Sequence, residues 1–269
     1  MKKKEVKEYI RSNQRKWICV GIGLTLLVLG IVVTVLTRPA AIAEDAAAAA
    51  KLPFALGLIM ILAGIVVPLA GSVPEKKPTD VRTLSMAALF AALCYIGFTY
   101  CKIDIPVGME KTAFHLGNVF CVLAALFLGG MWGGMAGAVG MTIADLTTAY
   151  VTSAPKTFLL KLCIGLITGF VAHKIFKLSQ DKEDRKLPLT AATAISCAAG
   201  MGFNIVADPL VGYFYKLYVL GVPQDAANIW AKIGAITTSV NAVVAVIAAT
   251  VLYVALRKAM KRTNLLPKL

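Results

Sequence analysis

The chain carries none of the short patterns that hold a phosphate, a nucleophile or a metal. There is no G-x-x-x-x-G-K-[ST] loop, no G-x-S-x-G elbow, no H-E-x-x-H helix and no acidic cluster of metal-ligand type. ATP hydrolysis therefore has no recognisable seat. Histidine is nearly absent, with two residues, and the six cysteines (Cys19, Cys94, Cys101, Cys121, Cys163, Cys197) show no C-x-x-C spacing. All six lie in or at the ends of apolar runs, which favours buried free thiols over disulfides or metal ligands. Neither a metal nor a cofactor is expected.

Charge is also scarce. Only 16% of the 269 residues are charged while 58% are hydrophobic, and the mean hydropathy is +0.76. So few charges cannot cover a soluble domain of this size, so the chain belongs in a bilayer. The net charge of +14 would suit nucleic acid. However, the Lys and Arg residues cluster at the ends of apolar runs instead of forming a basic face with interleaved aromatics, so nucleic acid is excluded as a partner.

A basic segment, residues 1–16, precedes an apolar run from Trp17 to Thr37. About 20 residues at 1.5 Å each cross the hydrocarbon core, so this run is long enough to span. Ala41-Ile42-Ala43 resembles a signal-peptide cleavage site, but the run exceeds the ~7–15 residues of a signal core, which favours a retained anchor. The Ala-rich EDAAAAAK (44–51) reads as a connector, and a second span follows from Leu52 to about Ser72. The polar, Pro-bearing VPEKKPTD (73–80) is the strongest boundary in the chain. Six further apolar segments lie at about 82–101, 116–129, 131–149, 156–177, 189–215 and 229–256. Asp80, Pro155, Pro188 and Asp225 stand near their starts as helix-initiating residues.

The expected architecture is thus an all-α integral membrane protein of eight spans. It divides into 1–72 (basic N-terminus and two-helix preface), 73–81 (linker), 82–258 (six-helix body) and 259–269 (basic tail). Lys and Arg test the orientation, because cytoplasmic loops carry the positive excess. Seven fall in the N-terminus, three in 73–82, five in 174–186 and five from Arg257 onward. With eight spans all of these share one side, so both termini are expected in the cytoplasm.

Intramembrane charge needs a reason, because an unpaired charge at the centre of a span costs at least ~2.5–3.5 kcal/mol. Asp145 shares a helical face with Thr142 and Thr148, and Lys161 with Thr157 and Thr168, on helices joined by the turn TSAP (152–155). The two charges are expected at one depth, either paired with each other or facing a ligand. Asn204 and Asp208 stand one turn apart, with Pro209 expected to interrupt their helix. Asn241 with Thr238 forms a smaller polar face on the last helix. The loop 101–115 reads either as a solvated connection or as a lid, and His115 and His173 as hydrogen-bonded boundary residues. Gly129, Gly133 and Gly137, with Gly130, Gly134 and Ala138 one step on, form two small-residue ladders suited to close helix packing. Ala87 with Ala91, and Ala88 with Ala92, give a second small-xxx-small pattern, open to internal packing or a membrane partner.

Taken together, RTLSMAALFAAL (82–93), HLGN (115–118), LGGMWGGMAG (128–137), ADLTTAY (144–150) and APKTFLLK (154–161) resemble the substrate-binding S components of energy-coupling factor (ECF) transporters, in the branch labelled riboflavin-type. The resemblance covers about residues 80–258. It implies a non-enzymatic six-helix body in the bacterial plasma membrane. Such a body captures a vitamin or related micronutrient in the outer half of the bilayer and docks onto a transmembrane coupling protein with two cytoplasmic ATPases. It maps the docking face onto Ala87, Ala91 or the parallel Ala88, Ala92, and the ligand groups onto Asn118, Asp145, Lys161, Asn204, Asp208 and Asn241. The two-helix preface is not part of the family body. Two other readings compete: an intramembrane enzyme using Asp145 and Lys161 as an acid–base pair, and a membrane scaffold.

Overall fold

The structure is a computed structural model. It describes residues 3–42, 81–107, 110–179 and 187–263, together with Gly57, Met60, Gly64, Val67 and Pro68. The connector 44–51, the linker 73–80 and most of the expected second span lie outside the described residues. Two compact units emerge, one of Met1–Pro78 with Phe214–Ala227, the other of Thr79–Tyr213 with Asn228–Leu269.

In the first unit, α1 runs from Lys3 to Ile42 and contains the apolar stretch Trp17–Val33. Gly23 and Gly64 let two helical backbones meet, since a Cβ on Gly64 would stand 2.7 Å from the Leu27 nitrogen. Close approach through missing side chains is the usual way helices associate in lipid.

The second unit is helical with one small sheet. Its elements are α2 (Val81–Thr99), β1 (Lys102–Val107), β2 (Glu110–His115), α3 (Gly117–Leu146), α4 (Ala154–Phe170) and, apart from the end of the one and the first turn of the other, α5 (Leu189–Phe214) and α6 (Gln224–Arg262). Among the described residues, five helical stretches are long and apolar enough to cross a membrane. One of them, α3, is folded. Gly129 has φ 81° and ψ 171°, a backbone state that L side chains rarely adopt, and the chain doubles back there. The expected boundary between 116–129 and 131–149 is this fold.

The returning half of α3 uses each glycine ladder against a different neighbour. A methyl on Gly133 would collide with the Ala125 backbone, and one on Gly137 with the Cys121 thiol, so this ladder packs on the first half of α3. Gly130 and Gly134 meet Gly169 and Gly165, so the second ladder packs on α4. The first half, Gly117–Leu128, is apolar apart from Asn118 and buried at every residue except the half-buried Phe120. A helix of that composition has to sit inside other helices. Phe127 stacks on Phe90 of α2 at 6.0 Å and tilts against Tyr253 of α6 at 4.8 Å.

Two expectations change. Pro209 does not interrupt α5, which continues to Phe214; the proline removes only the N–H that would have reached the carbonyl one turn back. The loop 101–115 is an antiparallel hairpin with Lys102 opposite His115 and Val107 opposite Glu110. Ile103, Ile105 and Val107 alternate with other residues there, the two-residue period of a strand.

Candidate functional site

The α2 start, the Gly129 fold and the α4 exit lie at one end of the body. His173 Nε2 donates to the Ala125 carbonyl (3.2 Å), and Arg257 donates to the Leu178 carbonyl (2.6 Å). The hairpin, the end of α3 and the start of α4 lie at the other end, and the polar side chains of interest gather there.

An ion pair links two helices. Lys156 Nζ in the first turn of α4 lies 2.9 Å from Asp208 Oδ1 on α5, and Thr238 on α6 donates to Asp208 Oδ2 at 2.8 Å. Asp208 thus ties three helices together and is already satisfied.

Asp145 and Lys161 form no ion pair with each other among the described residues, although each lies in the other's electrostatic field. Asp145 is 2% exposed; Thr157 stands beside its carboxyl, and its Oδ2 has no hydrogen-bond partner. Lys161 is 7% exposed, and its ammonium has neither an ion pair nor a hydrogen bond among the described residues. Its backbone carbonyl accepts from the Cys121 thiol at 3.7 Å, which brings α4 against the buried half of α3.

The two asparagines named from the sequence behave similarly. Asn118, in the first turn of the buried half-helix, and Asn204 on α5 are both buried, and the side-chain oxygen of each has no partner. Gly200, one turn before Asn204, packs on Ile164 and Thr168, so Asn204 faces α4 near the level of Lys161. The hydroxyl of Thr142 is likewise buried without a partner; that of Thr168 is too, but two residues from the end of α4 it lies toward the Gly129 end of the body. Buried polar atoms are almost always hydrogen-bonded in folded proteins. A group of them left open at one end of a bundle is what a bound polar molecule would complete.

Asn241 has a different task. Its Oδ1 accepts from the His115 backbone N–H and its Nδ2 donates to the Ala113 carbonyl, each at 3.0 Å. One turn earlier, Thr237 and Thr112 share a hydrogen bond of 3.1 Å. Both pin β2 to α6. On the other strand, Tyr150 donates to Asp104 at 2.9 Å, and Lys102 lies over the Tyr150 ring at 4.9 Å from its centre. Burial, with the nearby Asp104 carboxylate, raises the Tyr150 phenol above its ordinary value, so it stays a donor.

Lys156 and Thr238 did not stand out in sequence as partners of Asp208, because Lys156 reads as the polar start of a helix. The signal was arithmetic: two lysines on α4 face two aspartates on its neighbours. The alanine pattern is also resolved. Ala87 is buried and Ala91 packs on Gly140, whereas Ala88 and Ala92 are exposed beside Ser85, Leu89 and Ile96. Four cysteines are buried free thiols as expected, but Cys101 is exposed.

Among families of known proteins, the model described as "ECF-type riboflavin transporter, S component" matches residues 79–258. No curated protein and no solved structure matches the chain.

Proposed function

The chain belongs to the ECF-type riboflavin transporter S-component family, and from that premise we propose that it captures riboflavin, or a closely related uncharged heterocycle, at the hairpin end of the body. The family is one of transport subunits, not of enzymes, which removes the acid–base reading of Asp145 and Lys161. The observation that carries the proposal is the set of buried oxygens without hydrogen-bond partners on Asn118, Asp145 and Asn204, near a Lys161 that is 7% exposed and makes no ion pair among the described residues. A ligand rich in carbonyl, imide and hydroxyl groups supplies acceptors for the lysine and donors for the oxygens. Each such hydrogen bond adds about 1 kcal/mol, and more where one partner is charged.

In this reading Asp208 and Asn241 serve the site indirectly, Asp208 by joining α4, α5 and α6 and Asn241 by holding the hairpin. The protein is an eight-span subunit of a bacterial plasma membrane, with both termini and the basic loops in the cytoplasm and the hairpin outside. Boundaries at 72, 81 and 258 separate the preface, linker, body and tail. A coupling protein docks on α2 through the exposed Ala88 and Ala92, and two cytoplasmic ATPases drive release of the ligand.

Purification of the full chain tests the proposal directly. Bound flavin would give a yellow preparation whose fluorescence is quenched, and denaturation would release a stoichiometric ligand identifiable by mass spectrometry. A colourless protein that binds nothing when titrated with riboflavin refutes the reading.

A further inference from the structure

His115 was read from the sequence as a boundary residue, but its surroundings point elsewhere. The residue is only partly buried, yet its Nδ1 has no solvent-exposed surface and no hydrogen-bond partner. A histidine kept for packing normally spends both ring nitrogens on neighbours.

The ring is held in place from several sides. Its backbone N–H donates to Asn241 Oδ1, and Asn241 Nδ2 donates to the Ala113 carbonyl two residues earlier, so the end of β2 is clamped on both sides of Phe114. The imidazole meets Phe98 edge to face, with ring centres 4.7 Å apart. A Cβ on Gly117 would stand 3.2 Å from Nδ1, so Nδ1 lies over the first turn of the buried half-helix, one residue from Asn118. No side chain caps that turn. Lys161 and Asp208 both act on the ring electrostatically, so it belongs to the same polar cluster.

Resting on the flavin-binding reading above, we infer that His115 contacts the ligand through Nδ1 and that Asn241 is the positioning residue that aims it. Burial first, then the Lys161 charge, push His115 down from its ordinary value to about 3, with Asp208 opposing and Lys102 adding slightly. The imidazole is therefore neutral near neutral pH. A neutral ring accepts at one nitrogen and donates at the other, so Nδ1 can take a ligand N–H or O–H, or present a proton to a carbonyl.

The test uses full-length protein in detergent, titrated with riboflavin, and three substitutions. An asparagine amide reaches the position of Nδ1 and a glutamine amide that of Nε2. His115→Asn is expected to bind within ~3-fold of the wild type, while His115→Gln and His115→Phe weaken binding by ~10-fold or more, the loss of one buried hydrogen bond. Asn241→Ala should weaken binding less, and the His115→Phe/Asn241→Ala double variant should bind no worse than His115→Phe alone, because both changes act through one contact.

A second measurement on unsubstituted protein removes any dependence on variant folding. With only two histidines in the chain, 15N-histidine spectra resolve both rings, and riboflavin should move the His115 Nδ1 resonance and leave His173 in place. Riboflavin binding with an unmoved Nδ1, or wild-type affinity in His115→Phe, overturns the assignment while leaving the flavin reading intact. No riboflavin binding by the wild type overturns the flavin reading and this assignment with it.

Discussion

Lys156 of α4 and Asp208 of α5 meet at 2.9 Å, while Lys161, five residues further along α4, makes no ion pair among the described residues. The two lysines share a helix but not a partner: one joins two helices through an ion pair, and for the other we propose a ligand contact. The side chains of the pair are 16% and 24% exposed, so breaking it should cost about 1–3 kcal/mol, less than a fully buried pair. Lys156→Met and Asp208→Asn should each lower the thermal midpoint in detergent, and the double variant should recover part of the loss. Additive losses would show that the pair does not act as a unit.

Removal of an unpaired buried charge has the opposite sign for stability. Lys161→Met should leave the unfolding temperature unchanged or higher, because the ammonium is desolvated with no ion pair or hydrogen bond in return among the described residues. Riboflavin affinity should fall by at least ~10-fold, the loss of a charge-assisted hydrogen bond. Asp145→Asn should behave likewise with a smaller loss of affinity. Melting curves and fluorescence titrations on the same preparations separate the two effects. Destabilisation by Lys161→Met with affinity retained would make the lysine structural.

The apolar runs, the Gly129–Gly130 fold and the starts of α4 and α6 were legible in the sequence because length, glycine spacing and proline position act locally. The hairpin was less so: alternation is confined to the six residues of β1, and Pro106 within it argues against a strand. Among the candidate site residues, Asp145, Lys161 and Asn204 could be singled out because polarity inside an apolar run is visible one residue at a time, whereas Asn118 came only from the family resemblance. Pairing was not legible. Whether Lys156 or Lys161 reaches an aspartate depends on helix rotation and on a third helix that supplies Thr238. The same holds for Asn241, whose amide serves backbone groups 126 and 128 residues away.

Exposure separates the two alanine pairs on α2. Ala88→Trp with Ala92→Trp should abolish co-purification of the coupling protein and leave riboflavin affinity within ~2-fold, since both side chains face outward. Ala87→Trp with Ala91→Trp should instead destabilise the body, because Ala87 is 8% exposed and Ala91 packs on Gly140. Pull-down and melting temperature measured on both double variants decide the matter. Intact assembly in the Ala88/Ala92 variant would remove that face as the docking surface.

The glycine ladders make a prediction about where side chains can be added. A Cβ at Gly134 would stand 2.9 Å from the Leu162 carbonyl, and one at Gly165 would run into the Gly134 backbone. Backbone cannot step aside as a flexible side chain can, so Gly134→Val should cost about 1–3 kcal/mol or more by forcing α3 and α4 apart. Gly202 on α5 has nothing within 4 Å of the corresponding position. There an alanine meets no neighbour and should raise stability by about 0.4–1 kcal/mol, since glycine in a helix loses more freedom on folding. Separation of α3 from α4 would also move Lys161 relative to Asn118, so Gly134→Val should weaken riboflavin binding, whereas Gly202→Ala should leave it unchanged. Equal melting temperatures for the two variants would mean that the Gly134–Gly165 contact does not hold the helices together.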